Sequence, residues 1–131
     1  TNPHAADSAL AGHDSVIWVA GGQLKGAEVD DLVARHAHRL KAVALMGVDR
    51  NIIRESVEKH APGVPIFVTD DTGPQSAMDA VCAWAVTQAS SGDAIVLAPA
   101  AASLDMYTGM GQRGVLFAES VSAHLGGVAP K

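Results

Sequence analysis

The sequence predicts an α/β domain, a doubly wound and mostly parallel sheet with helices on both faces. Three observations carry that prediction. Short apolar runs such as Val16–Val19 and Ala42–Met46 alternate with segments whose apolar residues recur at helical spacing, and strands that are apolar on both faces belong to a sheet covered on both sides. Only 4% of residues are aromatic although 48% are hydrophobic, so the core is built of Ala, Val, Leu and Ile, which suit close packing of helices on a sheet. The length of 131 residues fits one domain, with residues 1–125 forming it and 126–131 a flexible tail.

The elements follow in order. Asn2 to Leu10 reads as a short helix ended near Gly12, and Val16–Val19 as a buried strand stopping at Gly21-Gly22. Val29, Leu32, Val33, His36 and Leu40 recur at helical spacing before the strand Ala42–Met46. Asp49 is placed to cap a helix through Ile52, Ile53 and Val57, which Ala61-Pro62-Gly63 ends ahead of the strand Pro65–Val68. Thr72-Gly73-Pro74 is a helix start, and Met78, Val81, Cys82 and Ala85 form one apolar face down to Ser90-Ser91-Gly92. Ala94–Leu97 is a fourth strand, and a last helix runs from about Gln112 to His124 with Leu116, Phe117, Val121 and Leu125 inward.

Composition narrows the function. The net charge of -5 and the lack of any basic run argue against nucleic acid as a partner. The acidic excess at Glu28, Asp30, Asp31, Glu55 and Glu58 is spread over helix surfaces, as solubility requires. A single cysteine, Cys82, excludes an internal disulfide and a multi-cysteine metal site, which suits a reducing compartment and makes cytoplasm the default. There is no signal-peptide pattern and no apolar run that would span a bilayer, so no membrane partner is expected. The missing initiator Met suggests a piece of something longer.

Parallel sheets of this kind bind ligands beyond the carboxyl ends of their strands, and two loops there stand out. Gly21-Gly22-Gln23-Leu24-Lys25-Gly26 turns sharply and presents a lysine, but it is no phosphate loop, because Gly26-Ala27 follows the lysine where Ser or Thr is needed. Ala98-Pro99-Ala100-Ala101-Ala102-Ser103-Leu104-Asp105 is rich in small residues that let backbone approach a ligand, and it ends in a hydroxyl and a carboxylate. Each loop also has a plain reading, a solvated lysine in a turn and a capping Ser or Asp. Together they suit a small molecule bearing carboxylates, held by one cation and several hydrogen-bond donors.

These residues carry a resemblance. Thr1-Asn2, Gly21-Gly22 through Lys25-Gly26, Ala98-Pro99-Ala100-Ala101-Ala102-Ser103-Leu104-Asp105, then Arg113-Gly114 and Phe117 together resemble the Mur ligases, within them the D-glutamate-adding branch, over essentially the whole chain. The resemblance implies the Rossmann-like carboxyl-terminal domain of a three-domain, ATP-dependent enzyme, whose nucleotide-binding amino-terminal and central domains are its missing partners. Such an enzyme joins D-glutamate to UDP-N-acetylmuramoyl-L-alanine, the amine attacking an acyl phosphate. It implies D-glutamate contacts at Thr1, Lys25, Ser103, Leu104 (through its backbone) and Met110. Met110 departs from a frequent Phe, Ala98 from a frequent Ser and Ala101 from a frequent Cys. No catalytic residue, metal or cofactor is expected on this domain alone, ATP and magnesium belonging to the intact enzyme, and a monomer is expected. A stand-alone α/β module that binds a small anion or another protein, and a related ligase that adds a different residue, are the other readings.

Further signals are read as structural. His36 and His38 lie on different faces of one helix and His60 beyond another, so no metal set is expected. Asp70-Asp71 reads as a turn before a helix, Cys82 as a buried thiol, Trp18 and Trp84 as core, and Asp105 and Arg113 as a cap and a loop brace. Gly109, Gly111 and Gly114 suggest a mobile segment before the last helix.

Overall fold

The computed structural model describes residues 3–22, 24, 29–98 and 110–125. Its order is α1 (Pro3–Ala11), β1 (Val16–Gly21), α2 (Asp30–His36), a short 3-10 turn (Ala37–Arg39), β2 (Leu40–Met46), α3 (Arg50–His60), β3 (Ile66–Val68), α4 (Pro74–Gln88), β4 (Ala94–Leu97) and α5 (Met110–His124). The strands form one sheet in the order β3-β2-β1-β4. Every pairing is parallel.

Alternation along the strands sends successive side chains to opposite faces. Val16, Trp18, Ala20, Val43 and Leu45 pack on one side with Ala6 and Leu10 of α1, Leu32 and Val33 of α2, and Ile53 and Val57 of α3. Ile17, Val19, Ala42, Ala44 and Met46 pack on the other with Ala77, Met78, Val81, Cys82 and Ala85 of α4 and Val121 of α5. Helices therefore cover both faces, and the doubly wound expectation holds. No helix of the described residues is long and apolar enough to cross a membrane.

Four local expectations need correction. Leu40 opens β2 rather than closing the preceding helix, which ends at His36 and tightens through the 3-10 turn; a buried leucine at helical spacing serves either element, and the strand partner Val16 decides. Leu125 is 40% exposed, just past α5, whereas Val121 is buried. Asp49 stands at the N-cap position of α3 but makes no side-chain cap. Gly111 and Gly114 lie inside α5, which begins at Met110, and Gly109 lies outside the described residues.

Candidate functional site

Strand order fixes where the chain can hold a ligand. From β1 the chain winds outward through β2 to β3, then crosses back over the other face to β4, next to β1. The element after β1 lies on one face and α5, after β4, on the other, so the two loops part at the carboxyl ends of β1 and β4. Open α/β sheets form their ligand crevice at such a reversal. Val19 pairs with Leu97 in register, so the Gly21-Gly22 loop and the Ala98 loop depart from neighbouring positions.

Both departure points are held. After β4, the Ala98 N–H donates to the Val19 carbonyl at 3.2 Å, and the Ala98 carbonyl accepts from Trp18 Nε1 at 2.6 Å. Trp18 is fully buried, so its indole is the core residue expected and also the clamp on the next strand's exit. After β1, Gly21 has φ 132° and Gly22 φ 130°, a region open to glycine. A β-carbon on Gly21 would overlap the Met46 carbonyl. The Gly pair lets β1 lie against β2 to its last residue and then turn.

Asp49, after β2, ties that turn down. Its N–H donates to the Gly22 carbonyl at 3.0 Å, and its Oδ2 accepts from the Leu24 N–H at 2.7 Å. Beside it Arg50 reaches Asp70 at 2.8 Å and the Gly47 carbonyl at 2.9 Å, joining the ends of β2 and β3. Asp71 accepts the Gly73 N–H, which with Ser76 holds its carboxyl below the usual carboxylate range. Its turn leads into α4 with Pro74 in the first turn, as expected. A surface hollow lined by Gly73, Pro74, Gln75, Ser76 and Asp79 opens there, with no Lys or Arg among its lining residues.

Of the expected contacts, Thr1, Lys25, Ser103 and Leu104 lie outside the described residues, as does Asp105. Met110 is placed by its backbone alone, as the first residue of α5. The flanks are placed: Leu24 immediately precedes Lys25, and Ala98 is the last described residue before the stretch that carries Ser103. Residue patterns missed two supports. Trp18 read only as core, and Asp49 as a helix cap, because nothing local reveals a partner 80 or 25 positions away.

Further polar pairs join helix to helix. His36 Nε2 meets Asp7 Oδ1 at 2.6 Å between α1 and α2, and Arg35 meets Asp7 Oδ2 at 2.9 Å. Asp30 accepts from Ser56 at 2.6 Å, with His60 at 3.5 Å. Burial, aided by the charge of Asp79, pushes the Cys82 thiol up to about 12, leaving it protonated and unsuited to nucleophilic work.

No family model matches the chain. Among curated proteins it is 67% identical over 125 residues to a UDP-N-acetylmuramoylalanine--D-glutamate ligase of Corynebacterium diphtheriae, across 95% of this chain and 26% of that one. An enzyme of the same name from Corynebacterium efficiens is 57% identical over 131 residues, across 100% of this chain and 28% of its own length. A third, from Leifsonia xyli subsp. xyli, is 43% identical over 129 residues, 98% of this chain and 25% of that protein. The chain thus spans about a quarter of the length of these relatives.

Proposed function

We propose, for a chain that belongs to the Mur ligase family and there to its D-glutamate-adding branch, the role of carboxyl-terminal domain that binds and orients D-glutamate. The observation that carries this reading is the pair of anchored loops leaving neighbouring strand ends, after Gly22 and after Ala98. Likeness over nearly the whole chain to a quarter of a ligase supports it over a stand-alone anion-binding module.

D-glutamate brings two carboxylates and one amine. The Lys25 ammonium, the hydroxyls of Thr1 and Ser103 and the Leu104 backbone N–H form the donor set for the carboxylates, while Met110 supplies an apolar wall. Holding both carboxylates leaves the amine directed at the acyl phosphate of the UDP-N-acetylmuramoyl-L-alanine substrate. ATP, magnesium and that nucleotide belong to the preceding domains of the intact ligase. The domain then acts by positioning rather than by proton transfer, and alone it completes no reaction.

Amide-shift titration with D-glutamate, L-glutamate and D-alanine tests the assignment. D-glutamate should perturb Gly22, Leu24, Asp49 and Ala98, and Lys25→Ala should weaken that response by about tenfold or more, the scale of one charge-assisted hydrogen bond. Shifts confined to the opposite edge, around Ser90 and Asp93, would refute the site.

A further inference from the structure

We propose that Asp49 is a positioning residue for ligand binding at the β1 edge: it holds the Gly22–Leu24 turn so that the residue after Leu24, Lys25, is delivered to the crevice. This rests on the D-glutamate reading above and assigns Asp49 a part in it.

Asp49 departs from the usual behaviour of an aspartate at a helix start. It occupies the N-cap position of α3, where an aspartate ordinarily turns its carboxylate onto its own helix. Here the side chain makes no cap, and only the Asp49 backbone carbonyl serves the helix, accepting from Ile52 N–H at 3.1 Å and from Ile53 N–H at 3.4 Å. The carboxylate is instead directed across 25 residues of sequence to the Leu24 N–H at 2.7 Å.

The backbone of the same residue binds the other side of the turn, Asp49 N–H to Gly22 carbonyl at 3.0 Å. One residue thus grips the turn on both sides of position 23. The Leu24 side chain is buried in the α1–α3 layer, so Leu24 is fixed by its side chain and its N–H together. Lys25 follows by one peptide unit, a step of about 3.8 Å between α-carbons. Fixing Leu24 removes backbone freedom from the residue that immediately precedes the lysine. Releasing Leu24 adds backbone freedom, which binding must then remove.

The grip faces outward at an accessible place. Asp49 is half-buried, with Val48 beside it 58% exposed and Ile52, one helical turn on, 50% exposed, so the carboxylate lies outside the core. Its neighbour Arg50 is engaged elsewhere, with Asp70 and the Gly47 carbonyl. The Asp49 carboxylate is therefore available to the turn.

The test uses the 131-residue chain in four forms, wild type, Lys25→Ala, Asp49→Ala and Asp49→Asn, each titrated with D-glutamate and each melted. Asp49→Ala should weaken D-glutamate binding by about tenfold, as loss of a hydrogen bond to a charged acceptor does. Asp49→Asn keeps an acceptor oxygen of the same size and should recover most of the affinity. The Leu24 amide should exchange faster in Asp49→Ala and stay protected in Asp49→Asn. A purely structural aspartate would lower the melting temperature of Asp49→Ala and leave its D-glutamate affinity at the wild-type value, which would overturn the proposal. If Asp49→Ala does not fold, the Asn variant decides through the Leu24 amide, whose protection must follow the retained oxygen. No response of the wild type to D-glutamate sinks the functional reading itself, whereas loss in Lys25→Ala with none in Asp49→Ala sinks this inference alone.

Discussion

At the scale of single residues, the crevice depends on atoms that composition does not reveal. Gly21 lies within a strand yet has φ 132°, and a β-carbon there would overlap the Met46 carbonyl. Glycine is thus needed twice over, for its backbone angle and for the close approach of β2. Gly21→Ala should destabilise the fold by more than about 3 kcal/mol, adding strain to a forced strand separation; urea denaturation measures it, and a loss below about 1 kcal/mol would contradict the close approach. The Gly pair was legible as a sharp turn, but the contact with β2 was not. Asp49 behaves likewise: its type and place at a helix start were read correctly, and its carboxylate's partner is set by strand adjacency.

At the scale of elements, polar ties hold the sheet's amino edge. The register between β1 and β2 shifts after Val16, which pairs with Leu40, while Ile17 pairs with Ala42. The skipped residue, Lys41, reaches Asp93 at 2.5 Å, and Asp93 also accepts from Ser15 Oγ and the Ser90 N–H. One carboxylate thereby ties the starts of β1, β2 and β4. Lys41, then the Ser90 N–H and Ser15, lower its pKa from 3.8 to about 2. A folded-state pKa below the unfolded value means the stabilisation is complete above about pH 3.8 and drains away as the pH falls towards 2. Asp7, held down first by His36, and Asp30, first by Ser56, shift in the same direction. Asp93→Asn should therefore lower the melting temperature at neutral pH and flatten its fall across that acid window. An unchanged slope would show that the tie contributes nothing.

At the scale of the whole molecule, one sheet serves two packed layers. Leu45 points into the layer of α1, α2 and α3, and Met78 of α4 into the other, both fully buried. Trp18 reports on the first layer, and Trp84, stacked on Phe67 with centroids 5.6 Å apart, on the second. Because every strand is shared, neither layer can melt alone. Leu45→Ala and Met78→Ala should each cost about 2–5 kcal/mol, and in each variant the fluorescence of both tryptophans should change in a single transition. Two separated transitions would show that the layers are independent.

Hydrophobic period, with composition and length, determined the class of this protein, because a strand buried on both faces and a helix buried on one leave different spacings in the chain. It determined four strands and five helices in order, and it marked the two loops that carry Lys25 and Ser103. Element ends were less legible, since Leu40 satisfies helix and strand spacing equally until Val16 pairs with it. Tertiary structure alone decided the order β3-β2-β1-β4, and with it the reversal that sets the Gly22 and Ala98 exits side by side. Adjacency of strands is a property of chain crossings, and no local spacing encodes which strand lies beside which.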